Sequence, residues 1–457
     1  MQKMKNGKKV LSVCLSLAMA AGMLSTSAFA SWNVYGGSNN HNAVVTEAPT
    51  ATDASGLDSY IPLHCTGSGW DGVDNVPVLQ TVNGTTYAYV LYDGYGASGA
   101  LVAKIRCAEN GGSSIVWTTD PYGTEGTSLN AKSGFQLSTP YLDDKGTPDD
   151  ASDDTLYVGT ISQYDDYEGG EWLTGTGSKV MALTGLDQNK PTVTNVLTGI
   201  NGQINTPITT DGTYLYFGTW PGGSRAGTYY QVKLSDYSVK TFTPDSYGFY
   251  WAGAVSDGTN VYFGSDNGLL YWRSIADFDT TGGVLDLTDV ASDAGNVRST
   301  VMLDDGYLYF TTQGGYLWCC SYDDGLTVEW HKKLGATSTS TPTKVGDRIY
   351  VGYYSGFNAG GVQCVSADGS SVKTVVEGDG FPVQSSIVVM GDGTGTDYLY
   401  FNTNAQKGVG YCYSYDGTTG SQVWGTTGDT YALGGMAIDN GYAVFGNDYN
   451  HLYVVHD

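Results

Sequence analysis

Residues 298–333 read RSTVMLDDGYLYFTTQGGYLWCCSYDDGLTVEWHKK. The stretch divides into four strands, RSTVML, YLYFTT, YLWCCSY and TVEWHKK, separated by the turns Asp305-Gly306, Gly314-Gly315 and Asp324-Gly325. Aromatic and β-branched residues suit a half-buried pleated surface, and Asp-Gly supplies the positive φ values that a tight hairpin needs. The second of these strands recurs along the chain as YAYVLY, TLYVGT, YLYFGT, NVYFGS, YLYFTT, RIYVGY, YLYFNT and YAVFGN. Their central residues are Tyr89, Tyr157, Tyr216, Tyr262, Tyr309, Tyr350, Tyr400 and Val444, and the steps run from 41 residues (Tyr309 to Tyr350) to 68 (Tyr89 to Tyr157). A four-stranded unit repeating at roughly 40–50 residues predicts an all-β, eight-bladed β-propeller. Seven blades is the alternative if the first or second repeat, whose spacing is irregular, is not a blade.

The last repeat lacks its fourth strand. The N-terminal SWNVYGG, residues 31 to 37, offers one, with Trp32 where Trp117, Trp330 and Trp424 close other repeats. The expectation is that an N-terminal strand completes the last blade and closes the ring, so that no sheet edge is left exposed. Several first strands open with a small polar residue and proline, as in Ser138-Thr139-Pro140, Asn205-Thr206-Pro207 and Ser340-Thr341-Pro342, where a proline costs no ladder hydrogen bond.

Lys3, Lys5, Lys8 and Lys9 precede a mostly apolar stretch from Val10 to Ala21, and Ala28-Phe29-Ala30 is a small-x-small cleavage site. Residues 1–30 are therefore expected to be a secretory signal peptide, 31–75 a closing strand with an irregular N-terminal segment, and 76–457 the propeller. The expected location is outside the cell or in the cell envelope, with no membrane insertion after cleavage. The formal charge is −25, and loss of four lysines takes it to −29. That field excludes nucleic acid as a partner. A monomer is the expected state.

Seven cysteines include Cys14 in the signal segment. Cys320, Cys364 and Cys412 each stand four residues before the Asp of an Asp-Gly turn, which predicts equivalent buried strand positions in successive blades, too far apart to bridge. Cys65 with Cys107 is the pairing to test first. The stretch 143–154 holds six aspartates without the spacing of a helical calcium loop, and is expected to be a solvated insertion. His41, His64, His331, His451 and His456 show no zinc-binding spacing, so no metal site is expected.

These units resemble the pyrroloquinoline-quinone-like (PQQ-like) repeat, with its [ST]-x-P opening, V-Y-V-G strand, L-Y-A-L-D strand, T-G turn and Trp. The pattern is best kept by YLYFGT, NVYFGSDNGLLYW, YLYFTTQGGYLWC and YSYDGTTGSQVW, and the opening WNVYGGSNNHNAV resembles the leader of such propellers in secreted bacterial proteins. The family includes quinone-dependent alcohol dehydrogenases, an outer-membrane assembly lipoprotein and non-catalytic surface proteins. Its dehydrogenases seat the quinone on a Trp floor beneath a disulfide between adjacent cysteines, with Ca²⁺ and a catalytic Asp. Cys319-Cys320 is an adjacent pair, but it falls in the middle of a third strand, and no Cys-x-x-Cys-His haem site occurs. Neither quinone nor Ca²⁺ is therefore expected as a cofactor, and no residue is assigned as catalytic. A quinone-dependent or carbohydrate-active enzyme is the alternative.

Loops joining second to third strands, and each blade to the next, share one face of a propeller. Here they are rich in aromatic residues. The expected ligand-binding set is Trp70, Asp71, Trp220, Arg225, Tyr250, Trp251, Tyr354, Phe381 and Tyr431, drawn from several repeats. Aromatic rings beside carboxylates and amides stack on sugars or grip peptide side chains with little loss of rotamer freedom. A secreted binding or scaffold protein for a glycan or an extracellular protein partner is the expected function.

Overall fold

The computed structural model describes residues 31–63, 72–93, 99–120, 126–131, 138–161, 164–168, 171–174, 177–323 and 325–457. The expected signal segment, Cys65, Trp70 and Asp71 lie outside the described residues. Residues 31–457 form one unit of eight four-stranded antiparallel blades. The fifth blade is typical, with strands Met302–Asp304, Tyr307–Thr312, Tyr316–Ser321 and Thr327–Lys333 running from the axis outward. The second carries an extra hairpin, Tyr164–Glu168 with Glu171–Thr174.

Burial follows position in the blade. The second strand Asn260–Gly264 is buried from Val261 to Gly264, whereas the outermost Thr327–Lys333 alternates between exposed and half-buried residues. The recurrent tyrosines of the second strands are nearly inaccessible, and several of their hydroxyls are paired inside the wall. Tyr216 donates to Asp211 at 2.8 Å, Tyr262 to Asp257 at 2.7 Å and Tyr350 to Asp397 at 2.6 Å. Trp117 and Trp424 close seams as expected: the Trp117 indole donates to the Leu186 carbonyl in the next blade, and the Trp424 indole to that of Pro49.

The lead-in segments explain the Ser/Thr-Pro pattern. Their hydroxyls tie neighbouring blades together around the axis: Thr139 Oγ1 accepts from Val76 N (3.1 Å), Ser138 Oγ donates to Thr206 O (2.6 Å), and Thr339 Oγ1 donates to Gln384 O (3.0 Å).

The ring is closed by an N-terminal strand that completes the last blade, but that strand is Ile61–Pro62, not residues 31 to 37. Ile61 pairs antiparallel with Leu452 and Pro62 with His451, outside the strands His451–Val455, Tyr442–Gly446 and Ala437–Asp439. Upstream, Ser55 bridges to His456, and the backbone N–H groups of Thr50 and Ala51 donate to the Asp457 carboxylate.

Residues 31–45 instead cross the axis as a plug. The carbonyls of Trp32, Asn33, Asn40 and Ala43 accept from the N–H groups of Leu79, Leu142, Leu303 and Val389 at 2.8–2.9 Å. Asn42 Oδ1 accepts from Lys344 N at 2.8 Å, and its Nδ2 donates back to Lys344 O. Each of those five residues lies in its blade's innermost strand, and Leu142, Leu303, Lys344 and Val389 are the middle residues of theirs. The plug therefore satisfies backbone donors along edges that face the channel. Val44–Val45 continues it as a parallel addition to the inner strand of the seventh blade. The plug turns on Gly37, at φ +69°, over the Trp32 ring; a Cβ there would lie 2.6 Å from the indole.

The cysteine expectation needs a one-residue correction. Cys319, not Cys320, faces the repeat tyrosine, as Cys364 and Cys412 do: the pairs are Tyr309–Cys319, Tyr350–Cys364 and Tyr400–Cys412. The fifth blade has one more residue between this position and its turn, so counting back from Asp324 lands on the wrong face. Cys107, Cys319, Cys320, Cys364 and Cys412 are all free and buried.

Candidate functional site

Where the lead-in segments converge, they line an axial pocket of about 70 Å³. All eight blades contribute, from Val76 and Thr139 round to Ser385 and Gly435, and the Tyr35 side chain of the plug belongs to the wall. The Tyr35 hydroxyl lies 3.0 Å from Thr341 Oγ1, and burial raises its pKa against hydrogen bonds from Thr341, Ser386 and Thr300. Gly434 lets the eighth blade close against the first, since a Cβ there would lie 2.4 Å from Asn75 O.

Among the described residues, Asn75 Oδ1, Asn205 Oδ1 and Ser385 Oγ in this wall are buried and show no hydrogen-bond partner. Asn75 is oriented by its own Nδ2, which donates to Leu91 O at 2.7 Å, so it is the oxygen that remains unmatched. Asp74 adds a carboxylate to the wall and Arg298 a guanidinium.

Arg298 organises the adjoining face. Its Nε and Nη2 donate to the two oxygens of Asp266 at 2.6 Å each, a bidentate pair in which the Asp266 side chain is only 4% exposed. Burial works against the arginine charge, but the hydrogen bonds and charge of Asp266 outweigh it and hold its pKa above the usual value. Trp220 Nε1 donates to the same carboxylate at 3.0 Å. The guanidinium lies 4.3 Å from the Tyr250 ring centroid, and Trp220 meets that ring edge-on at 5.1 Å. The Tyr354 phenol, its pKa raised by burial, reaches Gln313 and Thr339 and feels the Arg298 charge. Trp251 packs 4.7 Å from Tyr250, lines the axial pocket, and sits at φ +58°, a left-handed conformation rare for a bulky side chain.

The structure thus brings Trp220, Tyr250, Trp251 and Tyr354 together, with Tyr250 buried as a platform and the other three half-exposed. Phe381 and Tyr431 belong elsewhere on the face: Phe381 stacks on Tyr411 at 5.3 Å, and Tyr431 meets the exposed Phe357 edge-on at 5.6 Å. Arg225 is exposed on its loop. Phe249, Tyr92 and Tyr353, other loop aromatics, are core residues. Sequence reasoning missed Arg298, Asp266, Asn75, Asn205 and Ser385. The recurring Asn/Ser-Thr-Pro segments were the available signal, since the residues beside those prolines line the axis.

The adjacent cysteines do not fit a quinone seat. They lie mid-strand in Tyr316–Ser321, and their side chains enter different cores, Cys319 with Ile349 and Val351 of the sixth blade and Cys320 with Val255 and Tyr262 of the fourth. Burial raises the Cys319 thiol to about 12, and raises that of Cys320 further.

No family model and no curated protein matches the sequence. Solved structures do match in fold. BamB from Moraxella catarrhalis superposes with a TM-score of 0.51 at 14% identity, over 87% of this chain and 100% of that one. Quinohemoprotein alcohol dehydrogenase from Comamonas testosteroni gives 0.58 at 11%, over 92% and 77%, and a europium-containing methanol dehydrogenase 0.56 at 11%, over 91% and 89%. At such identities the likeness is one of fold. The chain is an eight-bladed propeller similar in structure to BamB and to these dehydrogenases.

Proposed function

We propose that the chain is a secreted or cell-envelope binding propeller, a non-catalytic member of the PQQ-like repeat group, that holds a glycan or protein partner on its aromatic loop face. The observation that supports this reading most is the assembly around Arg298. Three blades give it Trp220, Tyr250, Asp266 and Tyr354, a bulky Trp251 is held in a strained backbone beside it, and the whole adjoins the pocket at the axis. Buried Arg–carboxylate pairs under aromatic rings are typical of the anchors that dominate interfaces. A fold that needed these rings only for packing would not have to leave Trp220, Trp251 and Tyr354 half-exposed on one face.

A glycan array and pull-down from envelope extracts would find the partner. Replacing Trp220 or Trp251 by Ala is expected to weaken its binding by about 1–3 kcal/mol. Normal binding by folded variants would overturn the proposal. The fold likeness to two dehydrogenases supports an alternative, a quinone-dependent enzyme. Alcohol-dependent dye reduction on adding quinone and Ca²⁺ would favour it over the binding reading.

A further inference from the structure

We propose that a neutral glycan chain lies along a row of aromatic rings on the loop face of the sixth to eighth blades. This rests on the binding reading above, narrows its partner to a glycan, and uses a part of the face apart from the assembly around Arg298. The row begins in a cleft of about 570 Å³ between the sixth and seventh blades, within the roughly 300–1,000 Å³ of a small-molecule site. The half-buried rings of Phe381 and Tyr411, stacked at 5.3 Å, line it, with Phe357 beside them at 39% exposure. Gly380 N donates to Asn358 O at 2.6 Å and ties the lead-in of the seventh blade to the loop of the sixth.

From the cleft the row continues outward. Phe357 meets Tyr431 edge-on at 5.6 Å, and the Tyr431 carbonyl accepts from Asp448 N at 3.0 Å. The next residue, Tyr449, is 41% exposed and meets the His451 ring edge-on at 6.0 Å. Tyr60, 46% exposed, stacks on that imidazole at 3.6 Å. The imidazole is held in turn by Asp429, whose two oxygens lie 2.7 Å from His451 Nδ1 and 2.6 Å from Asn447 Nδ2. Singly exposed rings are ordinary on a protein surface. A row linked across three blades, with an imidazole locked beneath its outermost ring, is not.

Such a row suits a ligand with apolar faces and hydroxyl edges. A pyranose presents C–H groups to an aromatic face, while its hydroxyls both donate and accept. Round the cleft, the exposed amides of Asn358 and Gln406 offer donors and acceptors, Asp379 an acceptor and Lys407 a donor. Asp379 and Lys407 are the charged residues that line the cleft among those described, and they balance, so neither an anion nor a cation is drawn in. The chain's formal charge of −25 further disfavours an acidic glycan. Phe357, Phe381 and Tyr431 stand on loops, which offer no strand edge to a peptide backbone, and the exposed faces of the row differ from the closed pockets that grip a peptide anchor. A chain of sugars repeats one face at regular intervals and can use several rings in succession, where a single sugar would use one.

The probes are cellohexaose, maltohexaose, xylohexaose and mannohexaose, neutral chains that differ in sugar or linkage, titrated calorimetrically beside their disaccharides and an acidic hexagalacturonate. At least one neutral hexasaccharide is expected to bind, with its disaccharide at least ~10-fold weaker and the acidic chain weaker still. Phe357→Ala and Tyr449→Ala, both at exposed rings that the fold can spare, should each weaken the hexasaccharide by about 10-fold, and Lys407→Ala by a few-fold. Failure of every neutral hexasaccharide to bind, tighter binding of the acidic chain, or unchanged binding by both ring variants would overturn the proposal. So would equal binding by the disaccharide, which needs one ring only. Trp220 lies outside the row. A Trp220→Ala protein that loses its envelope partner while Phe357→Ala and Tyr449→Ala keep it would leave the binding reading standing and remove only the glycan row.

Discussion

Two stretches of the N-terminal segment hold the ring, and they do so differently. Residues 31–45 cross the axis with Trp32, Val34, His41 and Ala43 at 3% exposure or less, and satisfy one inner-strand N–H in each of five blades. Residues 49–63 run along the outside of the last blade, where the regular pairing is two residues long and Tyr60 remains 46% exposed. The closing strand hides one sheet edge that water could otherwise solvate. The plug satisfies donors that the ring itself encloses. An unmet donor costs far more in the second setting than in the first. The axis, not the rim, should therefore dominate the stability of the propeller.

The strongest test is deletion of residues 31–45. Five inner-strand N–H groups, three of them on fully buried residues, at about 1–3 kcal/mol each approach the whole stability of a typical domain, so the truncated protein is expected not to fold cooperatively. Circular dichroism and thermal unfolding would show it; a cooperative transition near the wild-type midpoint would break the comparison. Asn42→Ala is the milder form. It removes both bonds to Lys344 and should cost about 2–4 kcal/mol.

pH separates the axis from the seams. His41 is buried with its ring nitrogens 2.9 Å and 2.8 Å from the carbonyls of Tyr35 and Ala254. Burial lowers its pKa, against those two hydrogen bonds, which favour the charged ring. A histidine pKa depressed on folding gives stability above the usual value near 6.5 that is lost as pH falls, so acid should loosen the plug. Asp154 acts in the opposite direction. It lies buried between the first two blades, bridged at the axis by the Trp32 and Asn33 carbonyls, and accepts from Gln80 Nε2 at 2.5 Å. Burial chiefly, with neighbouring aspartates, raises its carboxyl from 3.8 to about 6. The fold thus favours the protonated acid, and stability falls as pH climbs from about 4 to about 6, by roughly 3 kcal/mol in all. Asp154→Asn should gain about that much at neutral pH, and leave the His41 slope exposed below pH ~6.5 in denaturant titrations across the range. A variant with the wild-type profile would show that Asp154 is ionised without cost.

The eight blades were legible because the repeats write their own evidence: in seven a tyrosine buried in the second strand, in several a turn with left-handed residues such as Asp305-Gly306 and Asn440-Gly441, in three a Trp at the end of the outer strand. The plug was not. Its hydrogen bonds run mostly through backbone carbonyls, which leave no mark on residue identity, and SWNVYGG carries the Trp and Val of an outer strand. What distinguishes it is Gly36 and Gly37, both left-handed, a turn where a strand was expected. The aromatic loops were visible in the sequence as composition. The polar pocket was not, since Asn75, Asn205 and Ser385 are each one amide or hydroxyl among many until the ring brings them to a single axis.

The smallest effect belongs to the rim. Ile61 is half-buried and pairs with Leu452 in a ladder two residues long, while Leu63 beyond it is fully buried with its N–H on Asn450 O. Ile61→Ala removes part of one side chain and no backbone bond, so it should cost about 1 kcal/mol and lower the melting temperature by no more than roughly 2–4 °C. Its value lies in the contrast with Asn42→Ala, a change of similar size made at the axis. If both substitutions cost the same, closure of the outer edge matters as much as satisfaction of the inner one. If Ile61→Ala is nearly silent while Asn42→Ala is severe, the propeller is held from its centre. The pocket that borders the plug then has Tyr35 fixed by the same segment that holds the blades, and a ligand bound there would stiffen the whole ring.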